Sequence, residues 1–181
     1  MSERTGRARW LVLCLGNAIR RDDGVGWRVA EALLAAPPAG VEVRMTALSG
    51  LYLLDEMEGF DRVVIVDALA SGESPPGTVS AFSLGAVRAA PGPSPHGMGL
   101  PSALRAAQAM GAPIPSRVEV VAVEVSDLAT VGVGLTPAVA AAVPIAAARV
   151  RELVAEPAPR SPAFLSGAAR GDGLSASRWF P

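Results

Sequence analysis

Trp10-Leu11-Val12-Leu13-Cys14-Leu15-Gly16-Asn17-Ala18-Ile19-Arg20-Arg21-Asp22-Asp23-Gly24-Val25-Gly26 is the stretch whose reading decides the fold. Its first six residues are apolar without a break, and Gly16-Asn17 then turns the chain. An apolar hexamer closed by such a turn reads as a buried strand. Past the acidic pair Asp22-Asp23, apolar residues recur at Val25, Val29, Ala30, Leu33 and Leu34, the spacing of one helix face. Pro37-Pro38 ends that helix. Of the two aspartates, Asp22 is assigned as the helix cap, which leaves Asp23 to point elsewhere.

The same alternation continues outward from this unit. Residues 41–45 read as a second strand and residues 50–57 as a short helix with Leu51, Leu53 and Leu54 apolar. Residues 62–68 are a third strand, continuously apolar through Val63-Val64-Ile65-Val66 and ending in Asp67-Ala68, as in a strand covered on both faces. Residues 78–84 are a fourth strand, placed at an edge. A Gly-, Pro- and Ala-rich loop follows over residues 85–95, of a length that in compact domains is often functional. A helix is expected from Gly99 or Ser102 to Met110, then a strand over 117–125. Thr136-Pro137, a cap followed by proline in the first turn, opens a last helix towards Val154 with Pro144 as a possible kink.

Strands alternating with helices predict an α/β fold, a three-layer sandwich with a largely parallel twisted sheet and helices on both faces. Residues 1–155 form the expected single domain, and residues 156–181, rich in Pro, Ser, Gly, Ala and Arg, read as a disordered tail. In such sheets ligands bind beyond the carboxyl ends of the strands. Gly16 and Asp67 both stand at such ends.

Composition removes several functions. With 16 Lys and Arg against 17 Asp and Glu the net charge is −1, without the basic excess of a nucleic-acid binder. The single cysteine, Cys14, forbids an internal disulfide and suits a reducing compartment. The apolar run Trp10–Leu15 is too short for a signal-peptide core or a membrane span, so the expected setting is cytoplasmic, away from membranes. Cys14 lies inside a strand and reads as core rather than nucleophile. No G-x-S-x-G elbow accompanies the only histidine, His96, which disfavours a serine hydrolase. Gly16, Gly24 and Gly26 match neither phosphate-binding glycine pattern, and Asp22-Asp23 would repel a phosphate.

What remains is a sparse set of polar groups at element ends: Asp23 after the turn, Asp67 at its strand end, and His96 in Ser94-Pro95-His96-Gly97-Met98-Gly99-Leu100. Taken singly, each has an ordinary structural use as a cap, a backbone acceptor or a loop histidine. Taken together, two oxygen donors and one nitrogen donor suit zinc, nickel or iron with coordination positions left open.

These residues resemble a known family, the endopeptidases that mature the large subunit of [NiFe] hydrogenases. Residues 16–26 resemble its G-N-x-x-x-x-D-[DE]-x-x-G signature, Val64-Ile65-Val66-Asp67-Ala68 its strand ending in Asp-Ala, and residues 94–100 its histidine loop. Gly132-Val133-Gly134-Leu135-Thr136-Pro137 resembles its Gly-Leu-Thr-Pro lead into the final helix. The four occur in the family's order. The resemblance implies a metal-assisted peptidase without a Ser or Cys nucleophile, trimming the C-terminal extension of a [NiFe]-hydrogenase large-subunit precursor after nickel insertion. It implies Asp23, Asp67 and His96 as the nickel set, with nickel brought by the precursor and no organic cofactor. Gly16, Asn17 and Asp22 are the expected substrate contacts, together with the loop over 85–95, and the expected state is a monomer.

The segment Met45-Thr46-Ala47-Leu48-Ser49-Gly50 departs from the family's Asp-Gly-Gly-Thr-x-Gly, with Met45 at the acidic position. Two other readings therefore stay open: a non-catalytic metal- or partner-binding module on the same scaffold, and a small-molecule hydrolase or nucleotide-binding domain.

Overall fold

A computed structural model describes residues 8–84 and 100–156. Strands β1 (Trp10–Leu15), β2 (Val41–Thr46), β3 (Arg62–Leu69), β4 (Val79–Ser83) and β5 (Arg117–Glu124) form one sheet in the order β2-β1-β3-β5-β4. The first four in that order are parallel, and β4 pairs antiparallel with β5 at the edge. β1 lies between β2 and β3 with every residue buried, which is why its sequence is apolar on both faces.

Period-two alternation divides the core between the two faces of the sheet. Trp10, Val12, Cys14, Val64, Val66, Val121 and Val123 pack with helices α1 (Val25–Leu34) and α4 (Pro137–Ala155). Leu11, Leu13, Leu15, Val63, Ile65 and Leu69 pack with α2 (Tyr52–Met57) and α3 (Leu100–Ala109) on the other. The helix–sheet–helix layering is the architecture expected from the alternation of elements.

Three local features bear on the sequence expectations, and two of them differ. Asp67 does not end β3; the strand runs on to Leu69, because its ladder with β5 continues through Ala68↔Val123 and Leu69↔Glu124. α4 runs through Pro144 to Ala155, in keeping with the expected extent towards Val154. Pro144 is exposed, as is Ala140 one turn before it, so the carbonyl that loses its helical partner faces water. Glu156, grouped above with the tail, is tied to Arg117 at the start of β5 by a 2.8 Å ion pair. Residues 85–95 and 157–181, read above as a loop and a tail, lie outside the described residues.

Candidate metal and substrate site at the carboxyl edge of the sheet

The turn after β1 is built by close approach. Gly16 has φ +133° and donates its N–H to the Thr46 carbonyl at 3.2 Å, joining the ends of β1 and β2. A Cβ on Gly16 would collide with the Asp23 carbonyl oxygen, and one on Gly26 with the Leu15 carbonyl oxygen. These glycines therefore let the turn and the first residues of α1 lie against the end of β1, a steric rather than a phosphate-binding use. Asn17 shapes the interior: its Oδ1 accepts the Ile19 N–H at 3.1 Å, its carbonyl the Arg20 N–H at 3.0 Å. The Arg20 carbonyl in turn accepts the Asp23 N–H at 2.9 Å.

The two aspartates then diverge. Asp22 is fully buried, and its carboxylate accepts the Thr136 N–H at 2.7 Å and the Thr136 hydroxyl at 2.9 Å. It caps no part of α1, whose first turn carries no side-chain cap. That corrects the assignment of Asp22 as the α1 cap. With both oxygens engaged and no exposed surface, Asp22 anchors the turn to the start of α4. The backbone supplies the rest of the seam. Arg21 donates to the Gly132 carbonyl at 2.8 Å, and Gly132 donates to the Ile19 carbonyl at 2.9 Å. Arg21 is the only described non-glycine residue in the left-handed region (φ 34°), a strained geometry held by that bond and by Asp127, 3.9 Å from its guanidinium.

Asp23 takes no part in the Thr136 bonds and keeps part of its surface exposed. Partial burial raises its carboxyl above the usual range, opposed by the Arg20 charge and the Asn17 backbone N–H. Asp67 retains some exposed surface while its carboxyl is enclosed by protein. Burial pushes it up to about 8; the Ala68 N–H, donated to Oδ1 at 2.8 Å, pulls it down, and the charge of Asp23 pushes it up further. The structure thus brings Asp23 and Asp67 within reach of each other's charge, and neither forms an ion pair with any cation among the described residues. The side chain of Asp67 shares the sheet face of Val63, Ile65 and Leu69, on which Leu100 at the start of α3 also packs. His96, the third expected ligand, lies outside the described residues, four positions before Leu100. Among the described residues alone, no group of three His, Cys, Asp or Glu side chains stands ready to hold a metal.

Burial pushes the Cys14 thiol up to about 12, which fits a core residue and not a nucleophile. Met45, at the position of the family's acid, is 43 % exposed at the end of β2. Sequence reasoning missed the partnership of Asp22 with Thr136 and of the turn with Gly132. The Gly-Leu-Thr-Pro segment was visible as a motif, but nothing local to it names a partner on the far side of the chain.

Fold and site together define an α/β protein with an acidic pair at the carboxyl edge of a mostly parallel sheet. Comparison with known proteins narrows the class. The family model for hydrogenase maturation proteases matches residues 28–152. A hydrogenase expression/formation protein, HupD of Rhodobacter capsulatus, is 35 % identical over 151 residues, covering 80 % of this chain and 71 % of its own. The hydrogenase 2 maturation protease of Escherichia coli K12 is 34 % identical over 137 residues, covering 74 % and 82 %. Among solved structures, the hydrogenase maturating endopeptidase HybD from E. coli superposes with a TM-score of 0.63 at 33 % identity, over 78 % of this chain and 89 % of that one. The chain belongs to the hydrogenase maturation protease family, and it is a peptidase.

Proposed function

We propose that this peptidase removes the C-terminal extension of a [NiFe]-hydrogenase large-subunit precursor, and that it reads the nickel already inserted there. The observation that carries the reading is the Asp23–Asp67 pair. A partly buried and an enclosed carboxyl lie at the same sheet end, each made less acidic by its surroundings; neither forms an ion pair among the described residues, and only the Arg20 charge acts on Asp23. A divalent cation arriving with the substrate relieves that repulsion, and oxygen donors with an imidazole suit nickel. Asp23, Asp67 and His96 are the proposed set. Bound there, the metal supplies Lewis acidity towards the scissile carbonyl or a water.

The chain's own residues do the positioning. Gly16 and Asn17 fix the turn that presents Asp23, and Asp22 holds that turn through Thr136. Asp67 must give up a proton to take a metal, since ligating carboxylates are deprotonated. A buried Cys14 leaves hydrolysis to the metal set rather than to a thiol. Family membership favours this reading over a binding module or a nucleotide domain. No described helix is long and apolar enough to cross a membrane. A cytoplasmic monomer acting on a protein precursor is part of the same proposal, with no role for nucleic acid, membrane or organic cofactor.

The test is a processing assay on nickel-loaded precursor with wild type, Asp67→Asn and His96→Ala. The expected result is a shortened product with wild type alone. Equal cleavage by all three removes the metal set, and an uncut cognate precursor with wild type removes the substrate assignment.

A further inference from the structure

Ile19, Val131 and Val133 are 60 %, 76 % and 84 % exposed, and what distinguishes them from other exposed apolar side chains of the described surface is that they lie together. The Ile19 carbonyl accepts the Gly132 N–H at 2.9 Å, and Val131 and Val133 flank Gly132, so the three belong to one place on the surface. That place is rigid. The hydrogen bond from Arg21 to the Gly132 carbonyl and the two hydrogen bonds from Thr136 to the Asp22 carboxylate fasten the two segments together on either side of it. Beside Ile19, Arg20 is exposed and forms no ion pair among the described residues, although it lies within reach of the Asp23 charge.

We propose that Ile19, Val131 and Val133, with Arg20 beside them, form an exosite that docks the folded body of the protein substrate through an apolar patch bearing a carboxylate. This rests on the reading that the chain processes a protein precursor. Three observations select that occupant. The patch is continuous with the candidate site, because the turn that carries Ile19 and Arg20 also carries Asp23. Its charge is complementary to an acidic neighbour of an apolar surface, not to another cation. Its area, a few hundred Å² at most for three side chains, falls well short of the roughly 800 Å² per partner of a stable dimer, and suits a transient enzyme–substrate contact. Rigid presentation adds to this, since a patch already held in place loses little freedom on docking.

The experiment compares wild type with Ile19→Glu/Val133→Asp on the nickel-loaded, folded precursor, measuring KM and kcat, with thermal midpoints to confirm folding. Both side chains are exposed and neither belongs to the proposed metal set; Ile19 takes part in the turn only through its backbone N–H and carbonyl, which the substitution keeps. The expected result is a KM raised about tenfold or more with kcat at saturation unchanged, as for loss of remote binding alone. Unchanged KM with normal processing overturns the exosite and leaves the proposed function standing. An uncut precursor with wild type overturns both. Sedimentation that shows a wild-type dimer abolished in the double variant assigns the patch to a second copy and overturns the proposal. So does a truncation after Glu156 that lowers KM in wild type but not in the double variant, which would mean that residues 157–181 cover the patch. If the double variant fails to fold, Val133→Asp alone supplies the same KM comparison.

Discussion

Asp22 and Thr136 stand 114 positions apart in sequence, yet the buried carboxylate of one accepts both the backbone N–H and the hydroxyl of the other. The bond pair ties the turn after β1 to the start of α4, and so fixes the residue next along, Asp23, at the carboxyl edge of the sheet. Asp22→Ala removes both charge-assisted bonds and strands the Thr136 donors, a loss of about 2–4 kcal/mol. Thr136→Val keeps the backbone bond and is expected to lose about half as much. Urea unfolding measures the two losses. The processing rate should fall in the same order, because Asp23 is no longer held; a destabilised Asp22→Ala that still processes at the wild-type rate when fully folded would sink the positioning role.

Gly16 and Gly40 both have positive φ, +133° and +74°, but only one of them is sterically enclosed. A methyl group at Gly16 meets the Asp23 carbonyl oxygen, whereas at Gly40 it meets nothing within 4 Å. Gly40→Ala is expected to lose only the left-handed backbone penalty of about 1–2 kcal/mol. Gly16→Ala adds a collision with backbone that cannot rotate away, so the turn must open. Its unfolding midpoint should lie well below that of Gly40→Ala, and processing should be lost. Equal midpoints would show that the turn yields without strain.

Cys14 gives a negative prediction. It is fully buried in β1 between Val12 and Gly16, and its thiol is pushed up to about 12. At pH 8 almost no thiolate forms and no reagent reaches it. Native protein incubated with iodoacetamide should carry no adduct by intact mass and keep its processing rate, while protein unfolded in urea takes up one equivalent. Rapid alkylation with loss of activity would reopen a thiol mechanism.

The elements were legible because their signals are local. Trp10–Leu15 is bounded by its own composition, and β3 by an apolar run that needs both faces covered. The placement of β4 at the edge came from position and weak patterning; its antiparallel direction depends on pairing with β5 and has no local signature. In the candidate site the residue types were legible but their division of labour was not. Asp22 and Asp23 are adjacent and chemically identical. What separates them is Thr136, brought close only by the packing of α4 against α1 and β5. The steric role of Gly16 and Gly26 is equally hidden, since the backbone atoms they approach belong to Asp23 and Leu15.

Asp67 yields a pH dependence with a definite sign. Its carboxyl has an ordinary value of 3.8 and is raised to about 8 in the fold, by burial first and by the Asp23 charge in addition. Between those values the folded chain keeps a proton that the unfolded chain has released. The associated stability is fully present below about pH 4 and is lost as pH rises through about 8. The thermal midpoint of metal-free wild type should therefore fall progressively across that window relative to Asp67→Asn, which has no proton to lose there. The variant should gain on wild type as pH rises, and be the more stable of the two above pH 8. Parallel midpoint curves for the two proteins would mean that Asp67 ionises freely in the fold, and the pressure for a cation at this site would disappear with it.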